Sequence, residues 1–154
     1  MLVSIMIYTD LTRLSIKIAF DAHKNQLDRS GIPYICHPLH LAEQMKDEIS
    51  CCAALLHDVV EDTDIGFDDL YAMGIPQEFI AVLRLLTHEK NTPYMEYIEN
   101  IKKSRNETAI AVKRADIIHN SDVTRTGDVS DKETLLRMEK YKVALEILAE
   151  DSFL

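Results

Sequence analysis

Tryptophan is absent from the sequence, and glycine and proline occur only four times each. So few chain breakers exclude a collagen-like or low-complexity chain and leave room for long regular elements. Strand signals are nearly missing too: the β-branched residues sit inside 3.6-residue patterns, not alternating ones. No apolar run approaches the roughly 20 residues that span a bilayer. The opening "MLVSIMIY" is short, lacks a basic flank and meets Thr9 and Asp10 at once. Neither a membrane partner nor a secretory leader is expected. Only three cysteines occur, Cys36, Cys51 and Cys52. An odd number with an adjacent pair does not make a disulfide framework, and it fits small buried side chains in a reducing cytoplasm. Basic residues are the minority, 17 Lys and Arg against 26 Asp and Glu, for a formal net charge of −9. No clustered basic stretch stands out, so no nucleic acid partner is expected. The acidic balance does not oppose a small phosphorylated substrate, because a bound cation reverses the local field.

What the chain has is helical periodicity over one domain's length. Its 154 residues predict a single domain, 1–154, with a real core. "TDLTRLSIKIAFDAHKNQ" opens a helix capped by Thr9 or Asp10, with Leu14, Ile18 and Ala22 on one face. Gly31 and Pro33 break it, and "PLHLAEQM" follows with Pro38 in a first turn. A third helix runs through "CCAALLHDVV", and Gly66 and Gly74 bracket a short one. "IPQEFIAVLRLLT" carries Phe79, Val82, Leu83 and Leu86 on one stripe. Two more helices lead to "DKETLLRMEKYKVALEILAE", which places Leu135, Met138, Leu145 and Leu148 together. The prediction is all-α, a bundle of about seven or eight helices.

One stretch conflicts with helix electrostatics. In "ALLHDVVEDTD", Asp58, Glu61, Asp62 and Asp64 follow an apolar run. On a continuous helix Glu61 and Asp62 lie one turn beyond Asp58, where like charges repel. They also lie near a C-terminus, where the macrodipole is itself negative. A divalent cation would offset both effects. Asp64 is read more simply, as a cap for the next helix. Asp116 is a second acid in an apolar setting, within "AIAVKRADIIHN". A buried carboxylate is costly unless it is paired or metal-bound. Lys113 or Arg114 is one available partner, a metal the other. His37, just before Pro38, completes with His57, Asp58 and Asp116 a two-nitrogen, two-oxygen set. Such a set suits Mn²⁺, Fe²⁺ or Zn²⁺ and leaves positions for water.

This His…His-Asp…Asp order resembles the HD phosphohydrolase superfamily, and in particular the hydrolase domain of the RelA/SpoT alarmone family. The resemblance rests on "AHKNQ", "RSGIPYICHPLHLA", "AALLHDVVEDT" and "VKRADIIHN". They parallel the family's A-H-x-G-Q, R-K-S-G-E-P-Y-x-x-H-P, A-A-L-L-H-D-V-V-E-D-T and V-K-L-A-D-R-x-H-N, in the same order over most of residues 19–120. It implies an HD-domain helical bundle in which His37, His57, Asp58 and Asp116 hold a divalent metal, usually manganese. It implies that Glu61 and Asp62 handle the catalytic water, and that Arg29, Ser30 and Asn120 contact a nucleotide. The implied activity is removal of the 3′-diphosphate from guanosine tetraphosphate (ppGpp).

The substrate face departs from the family pattern. Asp28 stands where the family has Arg, Ile32 where it has Glu, and Ile117 and Asp122 where it has two further arginines. Less positive charge weakens binding of a substrate with two diphosphates. Another nucleotide is therefore the second reading, and a non-catalytic nucleotide- or metal-binding module the third. The two acids after "HD" argue against that third reading. His23, near Ile16 and Ala19, and His119 are read as structural, His40 and His88 as surface residues, and Tyr94 and Tyr97 as packing.

Overall fold

The computed structural model describes residues 6–126 and 130–149. Ten helices lie among the described residues, and no strand. They are α1 (Asp10–Ala22), α2 (Cys36–Ala42), α3 (Glu48–Leu56), α4 (Val59–Asp62), α5 (Phe67–Ala72), α6 (Gln77–Leu86), α7 (Tyr94–Ser104), α8 (Glu107–Asn120), α9 (Val123–Thr126) and α10 (Lys132–Leu148). The excess over the expected seven or eight comes from two four-residue pieces, α4 and α9.

Polar side chains mark the helix starts. Thr9 and Thr12 form a reciprocal capping box on α1. Asp47, Asn106 and Asp131 each accept an amide from the first turns of α3, α8 and α10. Gly66, not Asp64, precedes α5, and its N–H is taken by Asp69 Oδ2 at 2.8 Å. Asp64 therefore leaves the capping role expected of it unfilled.

α3 is the central element. Residues 50–57 are all buried, with Cys51, Cys52, Ala54 and Leu55 fully enclosed. It packs against α1, α2, α6 and α8. Its run of small residues lets those neighbours approach closely. The predicted stripe on α6, Phe79, Val82, Leu83 and Leu86, is buried. On α10 the buried positions are Thr134, Ala144 and Leu148, with Tyr141 and Leu145 packed beside them. Leu135 is 57% exposed: it lies one step off that stripe, and the expectation that it joins the core is corrected.

The predicted helix through "CCAALLHDVV" is also corrected, because it breaks at His57. The His57 ring lies with Nδ1 2.7 Å from the carbonyl of Ala54. A carbonyl only accepts, so Nδ1 carries the proton. In a continuous helix that carbonyl would serve the amide of Asp58. The side chain takes its place, and the chain restarts as α4 with Asp58 at its N-cap.

Candidate metal and substrate site

Three separate helical segments bring the predicted donors together. His37 lies on α2, His57 and Asp58 at the α3–α4 break, and Asp116 on α8. Each offers a ligand-type atom, and all four atoms lie within 4.8 Å of one another. His57 Nε2 is 2.8 Å from Asp58 Oδ2 and 3.6 Å from Asp116 Oδ1. His37 Nε2 is 3.0 Å from Asp116 Oδ1 and 3.9 Å from Asp58 Oδ2. His37, His57 and Asp116 are 3%, 3% and 5% exposed, so bulk water does not separate these charges.

The surroundings of the four fix their directions. Asp116 Oδ2 pairs with Lys113 Nζ at 2.7 Å, while Asn120 Nδ2 donates to Oδ1 at 2.7 Å. The ion pair weighed from sequence thus exists, and it leaves Oδ1 turned toward the histidines. Tyr34 donates its hydroxyl to Asp58 Oδ2. His37 Nδ1 lies 2.6 Å from His119 Nδ1.

Burial pushes the Asp116 carboxyl up, but Lys113 and the two histidines outweigh it and hold the group well below the usual range. Asp58 follows the same logic: burial raises it, and His57 beside it brings it down overall. Burial lowers His57, but Asp58 and Asp116 overcome this and raise it well above the ordinary histidine value. His119 is held down to about 4, first by burial and then by Arg125.

The donor set fits a divalent metal on this geometry. His57 Nδ1 is committed to a carbonyl, so its neutral form points the Nε2 lone pair at two carboxylates. That buried Nε2 lies 2.8 Å from Asp58 Oδ2 but makes no well-aligned hydrogen bond. A lone pair facing two anions in a dry pocket is unstable without a proton or a cation among them.

Glu61 and Asp62 stand on α4 beside this cluster. Burial of their carboxyls, then the charge of Asp58, raises Asp62, and burial likewise leads the rise in Glu61. Glu61 Oε1 accepts the amide of His88 at 2.8 Å, which fixes one of its two oxygens. His88 in turn stacks on Tyr97 with ring centres 4.7 Å apart.

A cavity of about 240 Å³ opens beside His37, lined by Gln26, Arg29, Tyr34, Asn120, Arg137 and Tyr141 among others. Arg29, Ser30 and Asn120, the expected substrate contacts, all line it. Two of them have intramolecular partners: Asn120 holds Asp116, and the Ser30 hydroxyl donates to the carbonyl of Arg125 at 2.5 Å. Gly31 turns this loop at φ +80°, a conformation glycine adopts without strain. Asp28 Oδ1 accepts the amides of Ser30 and Ile32 at 2.8 and 3.0 Å, and Oδ2 faces Arg125 at 3.4 Å. Burial is the largest single influence and raises its pKa, but these contacts together outweigh it and bring the net value down.

Sequence reasoning missed Tyr34, Arg125, Arg137 and Tyr141. Only the packing of α9 and α10 over the α1–α2 loop brings the last three here, and no local pattern signals that. Tyr34 alone had a signal, its place in "GIPY" three residues before His37.

Among the described residues no helix is long and apolar enough to cross a membrane. The three cysteines are free thiols, Cys51 and Cys52 buried and Cys36 exposed. His23 is buried as expected, with Nδ1 on Gln26 at 2.8 Å and its ring 4.8 Å from that of Tyr34.

No protein-family model matches the chain. It is 33% identical over 116 residues to a probable guanosine-3′,5′-bis(diphosphate) 3′-pyrophosphohydrolase of Synechocystis sp., covering 66% of this chain and 15% of that protein. It is 34% identical over 115 residues to the bifunctional (p)ppGpp synthase/hydrolase SpoT of Escherichia coli, covering 67% of this chain and 16% of that protein. The chain thus spans less than a fifth of the length of these curated relatives. A solved structure described as a metazoan ortholog of SpoT that hydrolyzes ppGpp shares the fold, with a TM-score of 0.70 at 24% identity. That match covers 92% of this chain and 85% of that one. Together, the ordered motifs, the sequence matches and the shared all-α fold identify the chain as an HD-type, RelA/SpoT hydrolase-like domain.

Proposed function

We propose that residues 1–154 act as one HD-type domain, a cytoplasmic metal-dependent hydrolase that removes the 3′-diphosphate from ppGpp. The observation that carries this reading is the buried His57 Nε2, aimed at Asp58 and Asp116 with His37 opposite. His37, His57, Asp58 and Asp116 would hold the ion, and the mixed nitrogen and oxygen set suits manganese. When bound, such an ion acidifies water and polarises a phosphoryl oxygen.

The chain's own residues supply the rest. Glu61 and Asp62 orient the water and take its proton, and their raised pKa values bring them closer to neutral proton transfer. The water oxygen bonds to phosphorus, the bond from that phosphorus to the 3′ oxygen breaks, and a proton returns to that oxygen as diphosphate leaves. Arg29 and Arg137 give the cavity positive charge for phosphates, and Ser30 and Asn120 frame it with Tyr141.

A second reading, turnover of a different nucleotide, is favoured by Asp28. It stands where the family has a cation, and its charge is spent partly against Arg125. That reduces the field available to a second diphosphate.

The test is turnover of ppGpp and a panel of other nucleotides with Mn²⁺, followed by release of diphosphate or phosphate. Diphosphate from ppGpp is expected, with loss of more than about 100-fold in Asp58→Asn, since removing even an outer-shell partner costs 10–100-fold. Asp62→Asn should lower kcat by about 100-fold or more. Turnover of another nucleotide alone would install the second reading, and full activity in Asp58→Asn would overturn the assignment.

A further inference from the structure

The contact between His37 and His119 has a geometry that assigns it a role. The two Nδ1 atoms are 2.6 Å apart, the ring centres 4.9 Å apart, and the ring planes only 9° from parallel. Imidazoles whose Nδ1 atoms are this close reach that centre separation only when both nitrogens lie nearly on the line joining the centres. The rings are therefore edge to edge in a nearly linear hydrogen bond, not face to face. His40 supplies the face-to-face contact. Its ring centre is 4.1 Å from that of His119, at 26° between planes. The backbone end is held as well, since Arg125 Nη1 donates to the His119 carbonyl at 2.7 Å.

We infer that His119 is a positioning residue that sets the tautomer of His37, with His40 clamping its plane. The inference rests on the metal-centre reading above. Two facing ring nitrogens share one proton, so one must donate and the other accept. For His37 to offer Nε2 as a lone pair toward Asp58 and Asp116, its proton must sit on Nδ1. His119 Nδ1 then accepts it, and the proton of His119 sits on its own Nε2. Metal-bound histidines are ordinarily oriented by a carboxylate, a carbonyl or water at the second nitrogen. Unlike a carboxylate or a carbonyl, an imidazole in that place can also donate, by changing its own tautomer. It thus serves equally when His37 Nε2 carries a proton toward Asp116 Oδ1, 3.0 Å away. Neither a carboxylate nor a carbonyl can do both.

Mn²⁺ titration of the full chain by calorimetry tests this, with folding checked by circular dichroism. His119→Phe keeps a flat ring but removes the nitrogen. It should bind Mn²⁺ about 10–100-fold more weakly than the unsubstituted protein. His119→Gln, whose amide both donates and accepts, should recover most of that loss. Affinity in His119→Phe within about twofold of the unsubstituted protein, or no recovery in His119→Gln, overturns the inference. Asp116→Asn separates the two levels: if it binds Mn²⁺ as well as the unsubstituted protein, the metal-centre reading falls and this one with it. Should His119→Phe not fold, long-range ¹H–¹⁵N spectra of the unsubstituted protein with Zn²⁺ decide. His37 protonated at Nδ1 and His119 at Nε2 supports the inference, and the reverse overturns it.

Discussion

At the scale of single residues, Lys113 shows how the site tolerates its own charge. Its Nζ lies 2.7 Å from Asp116 Oδ2, with 13% of the side chain exposed against 6% for the partner. Burial lowers its pKa, but Asp116 outweighs that and raises it well above the ordinary lysine value. Removing one member of a buried pair strands the other, at about 3–5 kcal/mol. Lys113→Met should therefore lose about 3 kcal/mol in urea unfolding, and Mn²⁺ should restore part of it by giving Asp116 another cation. Asp116 was readable from sequence because a lone acid between Ala115 and Ile117 violates a local pattern. Asp58 was readable from another conflict, acids gathered where helix electrostatics disfavours them, and His57 from its place beside it. Arg125 and Arg137 break no local rule, and their value depends on where α9 and α10 lie.

Among the elements, α3 carries the site at one end and a cap at the other. Asp47 accepts the Ser50 amide at 2.8 Å, satisfying a donor that the helix leaves open. Asp47→Ala should cost about 1 kcal/mol of stability and leave Mn²⁺ affinity unchanged, since the cap lies a full helix length from His57. Urea midpoints and a parallel Mn²⁺ titration check both halves. Helix existence was legible here from periodicity, while the Asp47 cap emerges only from the structure. The break at His57 was not, because a side chain displaced a backbone bond. Continuous periodicity carries no trace of that exchange. The α10 stripe was misread at Leu135, since burial there is set by neighbours on α7 and α8.

For the whole molecule, an ion bound by α2, the α3–α4 break and α8 would add to the packing and the His37 hydrogen bonds that already join these elements. A ligand at 100 times its dissociation constant adds about 2.7 kcal/mol. For a chain of this length that raises Tm by about 5–10 °C. Mn²⁺ should produce that rise, a chelator should reverse it, and Asp116→Asn should abolish it. The rise should shrink in acid. Protonated His57, favoured in the folded protein, contributes stability that is complete below pH about 6.5 and fades as pH climbs through its raised folded pKa. The ion needs the same nitrogen unprotonated, so its contribution grows in the opposite direction. Melting curves with and without Mn²⁺, recorded from about pH 6 upward, should converge at the acid end.

His37 and Asp116 meet across 79 residues of sequence. A chain that has formed α1 to α4 but not yet docked α8 holds His37, His57 and Asp58 without their closing carboxylate. Docking of α8 would complete the proposed set of four donors. Manganese uptake during refolding would then trail the appearance of helix, and its timing would mark the moment when the two halves of the chain meet.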